Sequence, residues 1–224
     1  MYLSRLILNP RSRRVQRELA DPYQMHKTLM RSFPDDLDRE RDRVLFRVDT
    51  DPCSGIPVVL LQSTLEPRWD WLADDGARGY LLPGHLLPPG VEENPAVKSF
   101  DLNLAPGQVL AFRLRANPTV KRKFDDGTHK RVGLYREEEQ IKWLERKAEQ
   151  GGFRILSVRT GNQHIVGGRI HHDKTTHKLR LLSVQFDGLL QVTDPHWLRE
   201  TVRRGVGSGK GLGFGLLSLA SPPG

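Results

Sequence analysis

Asp21-Pro22-Tyr23-Gln24-Met25-His26 decides how the rest of the chain is read. An Asp-Pro pair is a helix start: the carboxylate accepts from free first-turn amides, and proline fills a position whose amide would be unpaired anyway. The spacing predicts a helix from Pro22 to about Phe33. Its stripe Met25, Leu29, Phe33 marks the buried face, and Tyr23, His26 and Lys27 lie near the first turn. Upstream, Tyr2 to Leu8 reads as a strand that stops at Asn9-Pro10, followed by a basic stretch from Arg11 to Arg17. Downstream, Val44 to Val48 and Pro57 to Leu65 are strand-like. The Pro- and Gly-rich stretch from Asp74 to Pro106 reads as an excursion without chemistry. Gln108 to Arg115 then alternates and ends at Asn117-Pro118, which makes it the expected closing strand of a β-α-β-β-(α)-β unit.

The second half repeats the order. Arg136 to Gln150 carries Ile141, Leu144 and Ala148 on one face and is stopped by Gly151-Gly152. Four strand-like segments follow: Phe153 to Val158, Ile165 to Ile170, Leu179 to Phe186 and Leu189 to Val192. Asp194-Pro195 starts a second capped helix, running to about Arg204, and Phe214 to Ala220 reads as a last apolar strand. The expectation is an α+β chain of two tandem ferredoxin-like (β-α-β-β-α-β) domains, residues 1–118 and 119–224, a size that suits 224 residues.

Composition narrows the class. Apolar runs such as Val58 to Leu61 are far shorter than the roughly 20 residues that span a bilayer, so no membrane partner is expected. One cysteine, Cys53, cannot form an internal disulfide or supply paired zinc thiolates, and this points to the cytoplasm. Thirty-five Lys and Arg against 27 Asp and Glu give a net charge of +8 and favour a polyanionic partner, nucleic acid first. Lys121, Arg122, Lys123, Lys130 and Arg131 with Arg113 and Arg115 form the densest basic segment and read as a phosphate track.

The glycine run from Gly205 to Gly215 looks like a nucleotide cradle and is not one. Lys210 is followed by Gly211 rather than Ser or Thr, no register gives Gly-x-Gly-x-x-Gly, and the loop follows a helix instead of a strand. No nucleotide cofactor is expected. Glycines expose amides and admit a close backbone, with Lys210 adding charge; a connection packed on the sheet is the other use of such a run. His164, His171, His172 and His177 are the dense histidines, but companion cysteines and a compact carboxylate set are missing, so no metal is expected. With Arg169, Lys174 and Lys178 they sit in an expected hairpin that suits groove contacts.

Four segments in order resemble the CRISPR-associated repeat endoribonucleases of the type I-E system, the CasE family. These are Tyr2-Leu-Ser-Arg-Leu6, Asp21-Pro-Tyr-Gln-Met-His26, Phe112-Arg-Leu-Arg-Ala-Asn-Pro118 and the glycine run from Gly205 to Ser218. Their order and spacing span nearly the whole chain. The resemblance implies two ferredoxin-like domains and a metal-independent cut of a CRISPR repeat RNA hairpin. It also implies retention of the product in the type I-E surveillance complex, Cascade.

RNA can supply its own nucleophile, the 2′-hydroxyl, if a base takes its proton and an acid protonates the leaving 5′-oxygen. Histidine suits both roles near neutral pH. A helical histidine taken alone is more often a surface or packed residue; the resemblance places the catalytic histidine at His26. Tyr23, three residues earlier, is the expected orienting group, or an aromatic half buried on the sheet. Lys27 and Arg31 are expected to extend the basic face. Arg113, Arg115, Asn117, Lys121, Arg122, Lys123, Arg131, Arg169, Lys174, Lys178 and Lys210 make up the expected RNA-binding set. The same charge also fits a non-catalytic RNA-binding scaffold, from which dependence on His26 separates a nuclease.

Overall fold

The structure, a computed structural model, describes residues 1–222 apart from 39, 126, 173 and 174, and side chains outside 169–179. The chain divides into two compact units. One is Met1–Asp101 with Gly167–Lys178 and Gly211–Gly213; the other is Leu102–Val166 with Leu179–Lys210 and Phe214–Gly224.

The first unit begins with β1 (Tyr2–Ile7), α1 (Arg13–Ala20), α2 (Pro22–Met30), β2 (Val44–Thr50) and β3 (Pro57–Ser63), and closes with β4 (Ala96–Ser99). The sheet order is β2-β3-β1-β4, all antiparallel. Leu6 and Leu8, Met25 and Leu29 of α2, Phe46, Val59 and Leu61 form a common core with Trp71 and Tyr80. Burial of these side chains is the main stabilising term, about 1.5–3 kcal/mol for each large apolar group.

Two expectations are corrected here, and one helix is added. The closing strand is β4, paired with Tyr2–Arg5, and the segment expected in that role belongs to the other sheet. Alternation marks a strand but carries no address for its partner. The longest continuous stretch of the first unit is Met1–Asp101. The excursion after Asp74 is also no bare loop, since Ala77, Tyr80 and Leu82 are buried and short 3₁₀ turns stand where the second helix of the motif would be. The basic stretch hides α1, whose inner face is Val15 and Glu18. A buried carboxylate breaks the apolar stripe by which helices are recognised.

The second unit contains β5 (Val109–Ala116), the ribbon β6 (Thr119–Lys123) and β7 (His129–Gly133), then α3 (Glu137–Gln150), β8 (Phe153–His172), β9 (Thr175–Val192), α4 (Pro195–Arg204) and β10 (Leu217–Ala220). The order β10-β5-β9-β8 is the complete β-α-β-β-α-β arrangement, with the β6–β7 ribbon inserted after its first strand. Asp194 caps α4 as expected, accepting from the amides of His196 and Trp197 at 2.9 and 3.0 Å. Glu137, Glu138 and Glu139 in the first turn of α3 complement its dipole. Where four short strands were expected between these helices, two long ones run through. Gly188 lies inside β9 because a side chain there would collide with the backbone carbonyl of Ser157.

Candidate functional site

Asp21 fixes the start of α2: its carboxylate accepts from the Tyr23 amide at 3.1 Å, with Pro22 at the first helical position. The buried face of the helix is held by Met25, Thr28 and Leu29. Thr28 is tied down unusually. Its hydroxyl donates to Oε1 of Glu18 at 2.6 Å; Arg14 donates to the same oxygen at 2.9 Å, and the Tyr80 hydroxyl donates to Oε2 at 2.7 Å. Glu18 is 4 % exposed, so three donors satisfy a carboxylate that would otherwise be costly to bury. Burial and the charge of Glu18 push the Tyr80 phenol far above its ordinary range. This network locks α2 onto α1.

Locking α2 sets the position of His26. Its ring lies against Phe46 of β2, centroids 6.5 Å apart and planes 17° from parallel. Gly211 approaches from the far end of the chain. A β-carbon at that position would stand 3.6 Å from Cε1, 3.7 Å from Nε2 and 3.8 Å from Nδ1 of the imidazole. Gly213, at φ +81°, packs in turn on the Phe46 ring, a backbone conformation that glycine alone adopts without strain. His26 is half-buried, between an aromatic ring and bare backbone.

Around it, Tyr23 is half-buried and Lys27 is exposed, with its Nζ 4.8 Å from the centre of the Tyr23 ring. Arg31 follows the helix and is engaged elsewhere: it donates to Asp74 at 2.7 Å and lies over Trp71 at 4.9 Å. A phosphate would have to compete with Asp74 for it. At the helix start, Gly168 of β8 lies beside the Asp21 carboxylate. The side chains of Arg169, His171, His172, His177 and Lys178, together with Lys174, are outside the described residues.

In the second unit, the ribbon concentrates charge. Lys121 lies opposite Arg131 and Arg122 opposite Lys130, all exposed. Like charges directly across a strand pair cost stability, and a polyanion relieves that cost. Among the described residues, Glu139 stands 3.7 Å from Arg122 as a partial counter-charge. Exposed Phe124 ends the ribbon under Lys130, and Lys123 stands opposite His129.

The central motif splits into different duties. Arg113 is exposed and paired with Asp187 at 2.6 Å. Arg115 is anchored by Ser183 at 2.9 Å, lies over Phe214, and meets Nε2 of His164 at 3.3 Å. Because Nδ1 of His164 contacts the Asn162 carbonyl at 2.8 Å, it carries the proton and Nε2 is left to accept from Arg115. Asn117 is only 4 % exposed and donates to Ser208 at 3.3 Å, while the Arg115 carbonyl accepts from the Gly215 amide at 2.8 Å. Asn117 thus ties to the glycine run at Ser208 and lines the same cleft as Lys210. Among the described residues, no three His, Cys, Asp or Glu side chains gather as metal ligands, and no helix is long and apolar enough to cross a membrane.

Sequence reasoning missed Phe46, which reads as ordinary core, and Glu18, hidden in a basic stretch. Gly211 carried a signal, a glycine run, but not its target.

Known proteins match this chain over nearly its whole length. The profile of the family described as CRISPR associated protein matches residues 1–221. Over 230 residues the chain is 40% identical to the CRISPR-associated endoribonuclease Cse3 of Thermus thermophilus, covering 98% of this chain and 100% of that one. It is 32% identical over 229 residues to the CRISPR system Cascade subunit CasE of Escherichia coli (strain K12), covering 98% and 99%. A structure of CRISPR endoribonuclease Cse3 bound to 19 nt RNA matches with a TM-score of 0.80 and 38% identity, covering 98% of this chain and 100% of that one. The chain belongs to the family of CRISPR-associated proteins, within the type I-E branch that Cse3 and CasE represent.

Proposed function

We propose that this protein is an endoribonuclease that binds the stem-loop of CRISPR repeat RNA, cuts the precursor once per repeat, and stays with the product as a subunit of Cascade. Relatives named as a CRISPR-associated endoribonuclease and as a Cascade subunit support this reading. The observation that carries it is the meeting of His26 with Gly211, which sets a titratable ring against backbone bare of any side chain.

In the proposed reaction the 2′-hydroxyl attacks the adjacent phosphorus. The O2′–P bond forms, the P–O5′ bond breaks, the hydroxyl proton goes to a base and the leaving O5′ takes a proton from an acid. His26 serves one of these transfers, help worth about 10²- to 10⁴-fold. Phe46 and the α2 network keep the ring in place, which favours a fixed line of transfer. Tyr23 orients the sugar or phosphate, and Lys27 offsets charge building on the phosphorane. The ribbon, Arg113 and Arg115 supply phosphate affinity, since a helical RNA stem is recognised mainly by shape and backbone. No step calls for a metal, and the natural setting is the cytoplasm, where the RNA is made.

The test is incubation with repeat RNA in excess EDTA, with analysis of the ends. A 2′,3′-cyclic phosphate on the upstream fragment is expected. A 3′-hydroxyl, or loss of cutting in chelator, would overturn the mechanism.

A further inference from the structure

The second unit has a cleft of about 570 Å³ that the reaction above does not use. Trp143, Lys147 and Gln150 recur along one face of α3, and Trp197, Thr201 and Arg204 along one face of α4. Lys121 and Arg131 of the ribbon form a wall, and the glycine run from Gly205 to Ser208 closes the end. The volume is in the range that holds a small organic ligand.

Its chemistry is selective. Among the described residues, Lys121, Arg131, Lys147, Arg204 and Lys210 line it against one carboxylate, Glu200. Glu200 accepts from Arg203 at 2.6 and 2.7 Å and is also paired with Arg204; these cations hold its carboxyl below the usual range. Positive charge therefore dominates. At the cleft, Trp197 is 54 % exposed. Its ring meets His196 edge to face at 5.8 Å. An exposed indole beside clustered cations matches a ligand with a flat π face and an anionic group.

We propose that this cleft holds one unpaired nucleotide flanking the RNA stem, its base stacked on Trp197 and its phosphate held by Lys147, Lys121 and Arg131. The inference rests on the RNA-binding reading above and adds a single-strand subsite to it.

The test uses the full chain and hairpin RNAs with single-stranded extensions on both sides, made abasic one position at a time. One position is expected at which loss of the base weakens binding about tenfold, within the range of aromatic stacking. Trp197→Ala should weaken the intact RNA by the same factor and the abasic RNA hardly at all, and Trp197→Phe should recover most of the loss. Effects of the variant and the abasic site that simply multiply, or no effect of either, overturn the subsite. Free AMP or UMP bound as tightly as the extended RNA also overturns it, by assigning the cleft to a free nucleotide. If single-stranded oligonucleotides bind in a Trp197-dependent way while no hairpin is cut, the subsite stands and the nuclease reading fails.

Discussion

The backbone of Gly211 lies over the imidazole of His26, close enough that a β-carbon would stand 3.6 Å from Cε1. Alanine fits at ordinary contact distance, whereas a larger side chain covers the ring. Gly211→Leu should therefore fold and bind repeat RNA while cutting at least about 10²-fold more slowly, as expected when a reacting group is misplaced or masked. Single-turnover rates beside a binding isotherm decide it; a rate near wild type would show that the strand does not pass there.

Removing the ring itself separates chemistry from affinity. His26→Ala should cut about 10²- to 10⁴-fold more slowly, equivalent to roughly 3 to 5 kcal/mol in the barrier, with the dissociation constant within about twofold of wild type. RNA carrying a 2′-deoxy sugar just upstream of the cut should bind normally and stay whole. Cleavage by the variant within about threefold of wild type would assign the proton transfer to another group.

The ribbon makes a salt prediction. Each phosphate neutralised by a cation contributes a slope of roughly 0.7 to 0.9 in log affinity against log salt. Lys121→Ala and Arg131→Ala should each lower that slope by about one unit and leave the single-turnover rate of bound RNA unchanged. Titrations at four salt concentrations would show it; an unchanged slope would place the ribbon away from the RNA.

Tyr80 makes a pH prediction. Its phenol is held protonated in the fold by burial and by Glu18, above an ordinary value of 10.0. Above that pH the unfolded chain releases this proton and the folded one keeps it, so the group's stabilisation is whole below about pH 10 and declines as pH rises, by up to about 1.4 kcal/mol per unit. Tyr80→Phe should be less stable at pH 7, for want of the 2.7 Å bond to Glu18, and should lose less than wild type between pH 9.5 and 11. Parallel melting curves for the two proteins would refute this.

Glu18 carries a larger share. Glu18→Ala strands the buried partners Tyr80 and Thr28 and half-frees Arg14, a loss of about 3 to 5 kcal/mol when one side of a buried charged set is removed. Because Thr28 lies on the helix of His26, a milder Glu18→Gln should lower cutting more than it lowers binding.

Much of this was legible in the residues. Asp21-Pro22 and Asp194-Pro195 announced both capped helices, and both capping bonds are present. Strand partnership was not, because Ala96–Ser99 is four residues long and sits in Pro-rich surroundings, while the stronger alternation of Val109–Ala116 serves the other sheet. Contacts between distant segments were equally silent. Arg31 reads as part of a basic face until Asp74 and Trp71 are seen beside it, and Asn117 reads as a surface amide until its burial under Ser208 is known. Local pattern reports what a residue's neighbours in sequence require, and pairing across 40 or more positions leaves no periodic trace.

The first unit is discontinuous, and this has a consequence for how the enzyme is born. Residues 1–101 supply the sheet and the helix of His26, but Gly211–Gly213 complete that unit from more than a hundred residues later. During synthesis, a nascent chain with its first sheet already folded lacks the backbone that faces the imidazole. On the proposed mechanism, cutting competence is thereby deferred until Gly211–Gly213 have been made, so that a chain broken off early remains an incomplete nuclease.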